Sequence, residues 1–315
     1  MKKNSFLLVF FLITSVVLSQ NPEKLMKNIL APYEFETSYT TIDSLEIAYV
    51  KAGHGRTTLL FLHGLSSNSD AWAKNIEVLQ DHYTCIALDL PGYGKSSKPD
   101  ANYTPSFFAT VAYRFIKKFG LKNVILIGHS MGGQTSIKLA VTYPRAIKKL
   151  VLIAPAGLEA FTEAQSAIIK TTFTRDMIKN TTDEQIEKNY QLNFFKLPDD
   201  ALKMVEDRKQ IKFSTDFDAH CEAIVRSISG MLDDTVLSDL RKIKHKTLVI
   251  FGDNDMLIPN RYLHPDLTTE KVGKTVLGKI KKVTLKFIKE SGHFVQFEKP
   301  EEVNLLIQRF VESKL

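Results

Sequence analysis

The sequence predicts an α/β protein with a mostly parallel, doubly wound sheet and helices on both of its faces. The first indication is a set of short apolar runs, such as residues 59–62 and 124–127, which is typical of strands buried on both faces of a parallel sheet. The second is that segments with helical spacing lie between these runs, because alternating strands and helices produce parallel sheets. The third is one long stretch, residues 158–245, with helical segments but no convincing buried strand.

Eight runs have the composition of β-strands. The pattern places them at residues 35–41, 45–51, 58–62, 85–88, 123–127, 150–154, 247–251 and 283–288. Three segments have the spacing of core helices, namely residues 106–119, 134–143 and 301–315. In the first of these helices one stripe is wholly apolar and predicts the buried face: Phe108, Val111, Ala112, Phe115, Ile116 and Phe119.

The strand-free stretch is interpreted as a helical cap inserted between two late strands, because a structureless loop of that length would be improbable. Its large apolar residues either line a hydrophobic site or pack the cap helices against the core: Phe161, Phe173, Met177, Phe194, Phe195, Met204, Phe213, Phe217 and Met231. The predicted organisation is a core of residues 21–157 and 246–315 with a cap of residues 158–245.

The N-terminus has the features of a signal peptide. Lys2 and Lys3 precede an apolar run over residues 6–18, which is too short to span a bilayer comfortably. Val17 and Ser19 are small enough for a cleavage site, so residues 1–20 are predicted to be removed. The prediction is therefore export to the periplasm or beyond the cell, with an uncleaved N-terminal membrane anchor as the alternative.

An exported protein meets an oxidising compartment, which makes the two cysteines relevant. Cys85 lies in an apolar strand-like run, and Cys221 lies over a hundred residues further along in a helical segment. We expect two buried free thiols rather than a disulfide. Neither sequence environment resembles one that activates a catalytic thiol.

Composition and charge narrow the class of protein. A hydrophobic fraction of 44% and a charged fraction of 24% are ordinary for a globular chain and exclude a disordered or fibrous one. The net charge is +7, and loss of Lys2 and Lys3 with the signal peptide would leave +5. The lysines gathered over residues 271–289 predict a solvated face, with weak attraction to an anionic membrane surface as the alternative. Nothing indicates nucleic-acid binding, because the basic residues are not interleaved with aromatic ones.

The strongest local motif is a G-x-S-x-G pentapeptide, Gly128-His129-Ser130-Met131-Gly132. It follows a predicted strand directly and precedes a predicted helix, which is the setting that a nucleophile elbow needs. The glycines permit the tight turn and hold Ser130 out at its tip. A serine hydroxyl needs a base to take its proton.

Among the eight histidines, His293 is the predicted base because it lies in a loop between the last strand and the last helix. His54, His82 and His245 are interpreted as surface or loop residues, and His220 and His264 as structural ones. Asp255, after the strand 247–251, is the predicted acid that orients the base, with Asp253 in reserve.

The developing oxyanion needs backbone N–H donors. One is predicted to be the amide of Met131, at the start of the helix after the nucleophile. The other is predicted to be the amide of Leu65, since Gly64 lets the backbone approach the substrate. His63 is interpreted as a structural histidine that bonds the backbone of this turn. No metal-ligand cluster appears, and the chemistry predicted here needs no cofactor.

Together these motifs resemble the α/β-hydrolase superfamily. The resemblance rests on five segments: 62–64, 89–96, 128–133, 252–255 and 292–293. It implies the α/β-hydrolase fold, with Ser130, Asp255 and His293 in the order that the family uses. Leu65 and Met131 match its oxyanion positions. More narrowly, segments 63–72 and 154–158 resemble a monoacylglycerol lipase-like and bacterial lipase/esterase branch. Ser130 argues against haloalkane dehalogenases and epoxide hydrolases, which place an aspartate there.

The sequence therefore predicts a serine carboxylic ester hydrolase, a lipase or esterase acting on a small, apolar ester. A carbon–carbon bond hydrolase of ring-cleavage products would use the same triad. A proline iminopeptidase-like enzyme would need cap acids to hold a free amine, for which Glu163, Asp176 and Glu187 are candidates. A non-catalytic ligand-binding protein of the same fold is the remaining alternative. Oligomeric state, acyl chain length and cap mobility are not indicated.

Overall fold

A computed structural model describes residues 24–313 of the chain. The predicted signal peptide, residues 1–20, lies outside the described residues. Within them, no helix combines the length and apolar character that crossing a membrane requires.

One eight-stranded sheet forms the centre of the molecule, in the order β1-β2-β4-β3-β5-β6-β7-β8. Strand β2 pairs antiparallel with both of its neighbours, β1 and β4, and all other neighbouring strands pair parallel. The bounds are β1 Thr37–Ile42, β2 Leu45–Ala52, β3 Thr58–Leu62, β4 Thr84–Leu88, β5 Val124–His129, β6 Lys149–Ile153, β7 Lys246–Gly252 and β8 Val283–Ile288. All eight predicted strands are present, within two residues at each end, and the predicted fold class is confirmed.

The burial of the strands explains their sequence patterns. Every residue of β3, β5 and β6 is buried, which is why these strands are almost continuously apolar. The edge strand β8 alternates between exposed and partly buried residues. Because β3, β5, β6, β7 and β8 run parallel, the loops that follow them gather at one edge of the sheet, where all predicted site residues lie.

Among residues 24–313, seven α-helices accompany the sheet strands: α1 Met26–Ile29, α2 Ala73–Leu79, α3 Pro105–Lys118, α4 Met131–Thr142, α10 Thr269–Lys274, α11 Val295–Glu298 and α12 Pro300–Glu312. The predicted stripe of α3 is buried except for Phe119, which follows the last helical residue and is 38% exposed. Helix α4 begins three residues earlier than predicted. Gly132 lies in its first turn, and glycine is required there because a Cβ would lie 2.3 Å from the carbonyl oxygen of Leu62.

Five further α-helices lie between β6 and β7: α5 Glu163–Thr172, α6 Arg175–Lys179, α7 Asp183–Gln191, α8 Leu202–Gln210 and α9 Phe217–Asp233. Threonine side chains cap the N-termini of α5, α6 and α7. Residues 158–245 contain no strand. We call this stretch the cap, while its status as a separate domain stays a prediction.

The large apolar residues of the cap divide into three sets by burial. Phe194 and Phe217 are buried in hydrophobic clusters. Four others are exposed, with exposed fractions between 36% and 71%: Phe173, Met177, Phe195 and Phe213. The remaining three are partly buried and pack against the same clusters: Phe161, Met204 and Met231. Cys85 and Cys221 are both buried and free, as predicted.

Candidate active site

Ser130 occupies a strained turn between β5 and α4. Its backbone has φ 52° and ψ −117°, a combination that costs a non-glycine residue on the order of 1–3 kcal/mol and persists only where its surroundings impose it. Two flanking bonds do so: the Ser130 amide donates to Ile153 O at 3.0 Å, and the Ser130 carbonyl accepts from Ala156 N–H at 3.0 Å. Gly128 is required because a Cβ there would lie 2.2 Å from the Gly132 carbonyl oxygen.

His293 and Asp255 form a buried pair at the same edge of the sheet. His293 Nδ1 lies 2.8 Å from Asp255 Oδ2. Because a carboxylate only accepts, Nδ1 carries the proton and Nε2 presents its lone pair. Asp255 is itself fixed, since its Oδ1 accepts the amides of Leu257 at 2.8 Å and Ile258 at 2.9 Å. Asp253 is exposed and hydrogen-bonded to Asn254, so it does not contact the base.

His129 links the nucleophile turn to the base. Its Nε2 lies 3.0 Å from the His293 carbonyl oxygen, and the two imidazole rings are 4.8 Å apart. Burial, and then the charge of His293, lower the pKa of His129 well below its ordinary value, so His129 is neutral near pH 7. With the proton on Nε2, its Nδ1 is a buried lone pair without a partner among residues 24–313. His129, which directly precedes Ser130, is thus hydrogen-bonded to the loop that carries the base.

The loop after β3 lies against the Ser130 turn. A Cβ on Gly64 would lie 3.2 Å from the Ser130 Cβ, so Gly64 permits this approach. Within the described part of the chain, neither the Leu65 amide nor the Met131 amide donates a hydrogen bond. His63 supports the loop, donating from Nδ1 to Gly64 O at 2.7 Å and accepting the Leu90 amide on Nε2 at 2.9 Å. This is the structural role that the sequence predicted for His63.

The other two histidines that were predicted to be structural, His264 and His220, differ in whether both ring nitrogens have hydrogen-bond partners. His264 has both nitrogens engaged, by Glu159 and by Gln165 Nε2. His220 does not: its Nδ1 donates to Gly92 O at 2.8 Å, which leaves a buried Nε2 lone pair without a partner in the described chain. His245 was expected at the surface or in a loop; it lies in a loop but is buried, 2.8 Å from Pro144 O.

A narrow pocket that the sequence did not reveal lies between the cap and the loop after Leu65. The loop contributes Ser66, Ser67 and Asn68, and the cap contributes six residues: Tyr190, Met204, Asp207, Arg208, Ile211 and His220. Arg208 Nη1 is buried, and the described residues offer Arg208 neither a hydrogen bond nor an ion pair. Its guanidinium packs on the Phe217 ring, 5.3 Å from the centroid.

The pKa values of Arg208 and His220 in this pocket are both lowered. Burial lowers the pKa of Arg208, and no carboxylate contributes to the shift. Burial, and then the charge of Arg208, lower the pKa of His220 to about 3. The sequence did not indicate this site, because Arg208 stands in the charged run Glu206-Asp207-Arg208-Lys209, which looks like a solvated helix face.

The three cap acids considered for binding a free amine are all exposed. Asp176 and Glu187 retain 78% and 52% side-chain exposure, and Glu187 pairs with Lys209. Glu163 begins α5 and is also exposed. None of them lines the pocket that contains Arg208.

Comparison with known proteins gives one family and several relatives. A family model described as the α/β hydrolase fold matches residues 57–300. The chain is 29% identical to a 2-hydroxy-6-oxo-6-(2'-aminophenyl)hexa-2,4-dienoic acid hydrolase of Metapseudomonas resinovorans, over 84% of this chain and 87% of that protein.

Two solved structures show the same fold. One is a probable hydrolytic enzyme from Pseudomonas aeruginosa, with TM-score 0.80 and 22% identity over 92% of this chain and 98% of the other. The second is an esterase from Exiguobacterium antarcticum, with TM-score 0.73 and 21% identity over 88% of this chain and all of the other.

Proposed function

The chain belongs to the α/β-hydrolase family, and from this premise we propose that it is a serine hydrolase that cleaves carboxylic esters. The observation that carries the proposal is the buried His293–Asp255 pair beside the strained Ser130 turn. In the proposed roles, Ser130 is the nucleophile, His293 is the general base and acid, and Asp255 fixes the tautomer of His293 and stabilises its imidazolium.

The proposed reaction has two halves. Ser130 Oγ attacks the ester carbonyl while its proton moves to His293 Nε2, and the tetrahedral oxyanion accepts hydrogen bonds from the Leu65 and Met131 amides. Each such donor is typically worth a factor of about 10²–10³ in rate. The intermediate expels the alcohol, which takes the proton from His293, and leaves an acyl group on Ser130. Water, deprotonated by His293, then releases the acid and restores the serine.

A second candidate is a carbon–carbon bond hydrolase of ring-cleavage products, and the Arg208 pocket favours it. A buried guanidinium nitrogen without a hydrogen-bond partner, such as Arg208 Nη1, is costly, and a carboxylate is the ligand that fits the planar, bidentate geometry of the group. The Metapseudomonas relative is named for a 2-hydroxy dienoic acid, which carries a carboxylate and a neighbouring hydroxyl. In this candidate, Arg208 would hold the carboxylate, and the His220 Nε2 lone pair would accept from the hydroxyl.

Two substrate sets separate the candidates. The first is p-nitrophenyl esters from acetate to palmitate with a monoacylglycerol, and the second is a chromophoric 2-hydroxy-6-oxo-dienoate; Ser130→Ala is the control for both. Turnover of the esters that vanishes in Ser130→Ala supports the esterase. Serine-dependent turnover of the dienoate alone supports the carbon–carbon hydrolase and overturns the ester assignment.

We also propose that the protein is exported, from the charged and apolar N-terminal pattern of the sequence. Cell fractionation of the full-length chain, with the N-terminus of the mature form sequenced, tests this. Cleavage after Ser19 or Gln20 is expected. A membrane-bound protein that retains Met1 would instead support the N-terminal anchor.

A further inference from the structure

The loop that carries His293 contacts the cap directly. We call residues 289–294, between β8 and α11, the base loop, and residues 193–196, which follow α7, the cap segment. The Phe294 amide donates to the Asn193 carbonyl at 2.9 Å. Phe194 packs against Phe294, with ring centroids 5.5 Å apart. The residue after the proposed base is therefore bound to the cap.

The residue before the proposed base approaches the same cap segment. A Cβ added to Gly292 would lie 2.7 Å from the Asn193 carbonyl oxygen and 2.7 Å from backbone atoms of Phe194. The two backbones thus meet at a distance that only glycine permits. His293 is flanked on both sides by residues that touch the cap segment.

One carboxylate joins the two elements. Glu298, at the end of α11, accepts the Gly292 amide on Oε2 at 2.7 Å. The same oxygen accepts the Phe195 amide at 3.1 Å, and Oε1 accepts the Lys196 amide at 2.7 Å. Hydrogen bonds to an ionised acceptor are about twice as strong as neutral ones. Glu298 therefore holds one amide of the base loop and two amides of the cap segment at a single point.

We infer that Glu298 is a positioning residue that couples the cap to the base, so that His293 is correctly placed over Ser130 only while the cap segment is docked. The inference rests on the proposed function, in which His293 is the base. A proton transfer requires heavy atoms within about 2.6–3.2 Å, and a displacement of about 1 Å can cost a factor of 10² in rate. Release of the Glu298 bonds frees Gly292, the residue directly before His293, to make such a displacement.

The test compares wild type with Glu298→Gln, which keeps the side-chain volume but replaces one accepting oxygen with an amide nitrogen that cannot accept. We measure the rate at which a fluorophosphonate labels Ser130, and kcat and KM for p-nitrophenyl acetate, well below the melting temperature. The expected result is a fall of about tenfold to a hundredfold in labelling rate and kcat, with KM little changed, because a small ester makes few cap contacts. Glu298→Asp, which keeps the charge, should lie between the two and serves if the first variant does not fold.

Asp216→Asn is the matched control. Asp216 is also a cap carboxylate that binds the core, accepting the Met26 amide at 2.8 Å and pairing with Lys98 at 3.1 Å, but it has no contact with the base loop. The Asp216→Asn variant should have a lower melting temperature than wild type and the same rate of Ser130 labelling.

Three outcomes would count against the inference. A Glu298→Gln variant that reacts within twofold of wild type would overturn it alone, as would such a Glu298→Asp variant where Glu298→Gln does not fold. An equal loss of rate in Asp216→Asn would also overturn it, by showing that any loosening of the cap suffices. A wild-type protein that reacts with neither probe would overturn the proposed function and the inference with it.

Discussion

His129 donates a hydrogen bond from Nε2 to the backbone carbonyl of His293 at 3.0 Å, so the residue before the proposed nucleophile holds the proposed base. Because burial lowers the pKa of His129, this bond is made by a neutral imidazole and does not depend on pH near neutrality. His129, between Gly128 and Ser130, therefore has a structural role that the G-x-S-x-G pattern does not predict.

Two replacements of His129 should distinguish the contribution of this hydrogen bond to kcat from the contribution of side-chain packing. Glutamine can place an amide N–H near the position of the histidine Nε2, whereas leucine cannot donate. We expect His129→Gln to keep most of the esterase kcat and His129→Leu to lose about tenfold to a hundredfold. Steady-state kinetics on p-nitrophenyl butyrate, with melting temperatures alongside, check this. Equal kcat in the two variants would show that the hydrogen bond is irrelevant.

Asp255→Asn should lower kcat by about 10³–10⁴, because an amide can donate to His293 Nδ1 and favour the wrong tautomer. Asp253→Asn is its matched control, since Asp253 lies two residues away, is exposed and does not contact the base. The measurement is kcat at constant pH on one ester. A comparable loss in both variants would argue against Asp255 as the orienting acid.

Arg208→Met should weaken carboxylate recognition while stabilising the fold, because it replaces a partly buried charge, whose Nη1 is buried without a hydrogen-bond partner, with an apolar side chain of similar length. We expect a higher melting temperature, unchanged turnover of neutral esters and at least a tenfold rise in KM for a carboxylate-bearing substrate. Benzoate should raise the melting temperature of wild type but not of the variant. If benzoate protects both proteins equally, the carboxylate binds elsewhere.

Acid should destabilise the protein through His220. The pKa of His220 is about 3 when folded and 6.5 in the ordinary state, so below pH 6.5 the unfolded chain binds the extra proton and the folded chain does not. This contribution to the free energy of unfolding is therefore present above pH 6.5 and decreases by about 2 kcal/mol between pH 7 and pH 5. Urea unfolding at both pH values should show a smaller difference for His220→Gln. An identical pH dependence in the two proteins would contradict the assignment.

The sequence predicted the elements whose signal is local. The strand 58–62 was placed with correct bounds because residues 59–62 form a continuous apolar run. The strand 283–288 was placed correctly because apolar and polar residues alternate over most of its length. Ser130, Asp255 and His293 were placed in three loops at one edge of the sheet, since parallel strands bring their carboxyl ends together.

The sequence failed where the outcome depends on tertiary contacts. Arg208 lies in a charged helix that looks solvated, but tertiary contacts, including the Phe217 ring, bury part of its guanidinium. Phe213 was a candidate for a hydrophobic site and is 71% exposed, because burial of a cap residue depends on helix orientation rather than hydrophobicity. The Glu298 contacts join residues about a hundred positions apart, which no local pattern encodes.

The central claim is that Ser130 forms an acyl-enzyme with His293 as its base. The most direct test is to quench wild type during turnover of a p-nitrophenyl ester and to locate the acyl group by mass spectrometry, with His293→Ala as the control. We predict an acyl adduct on the peptide that contains Ser130, formed in a rapid burst by wild type and at least 10³-fold more slowly by the variant. Turnover without an adduct, or an adduct on another residue, would contradict the account.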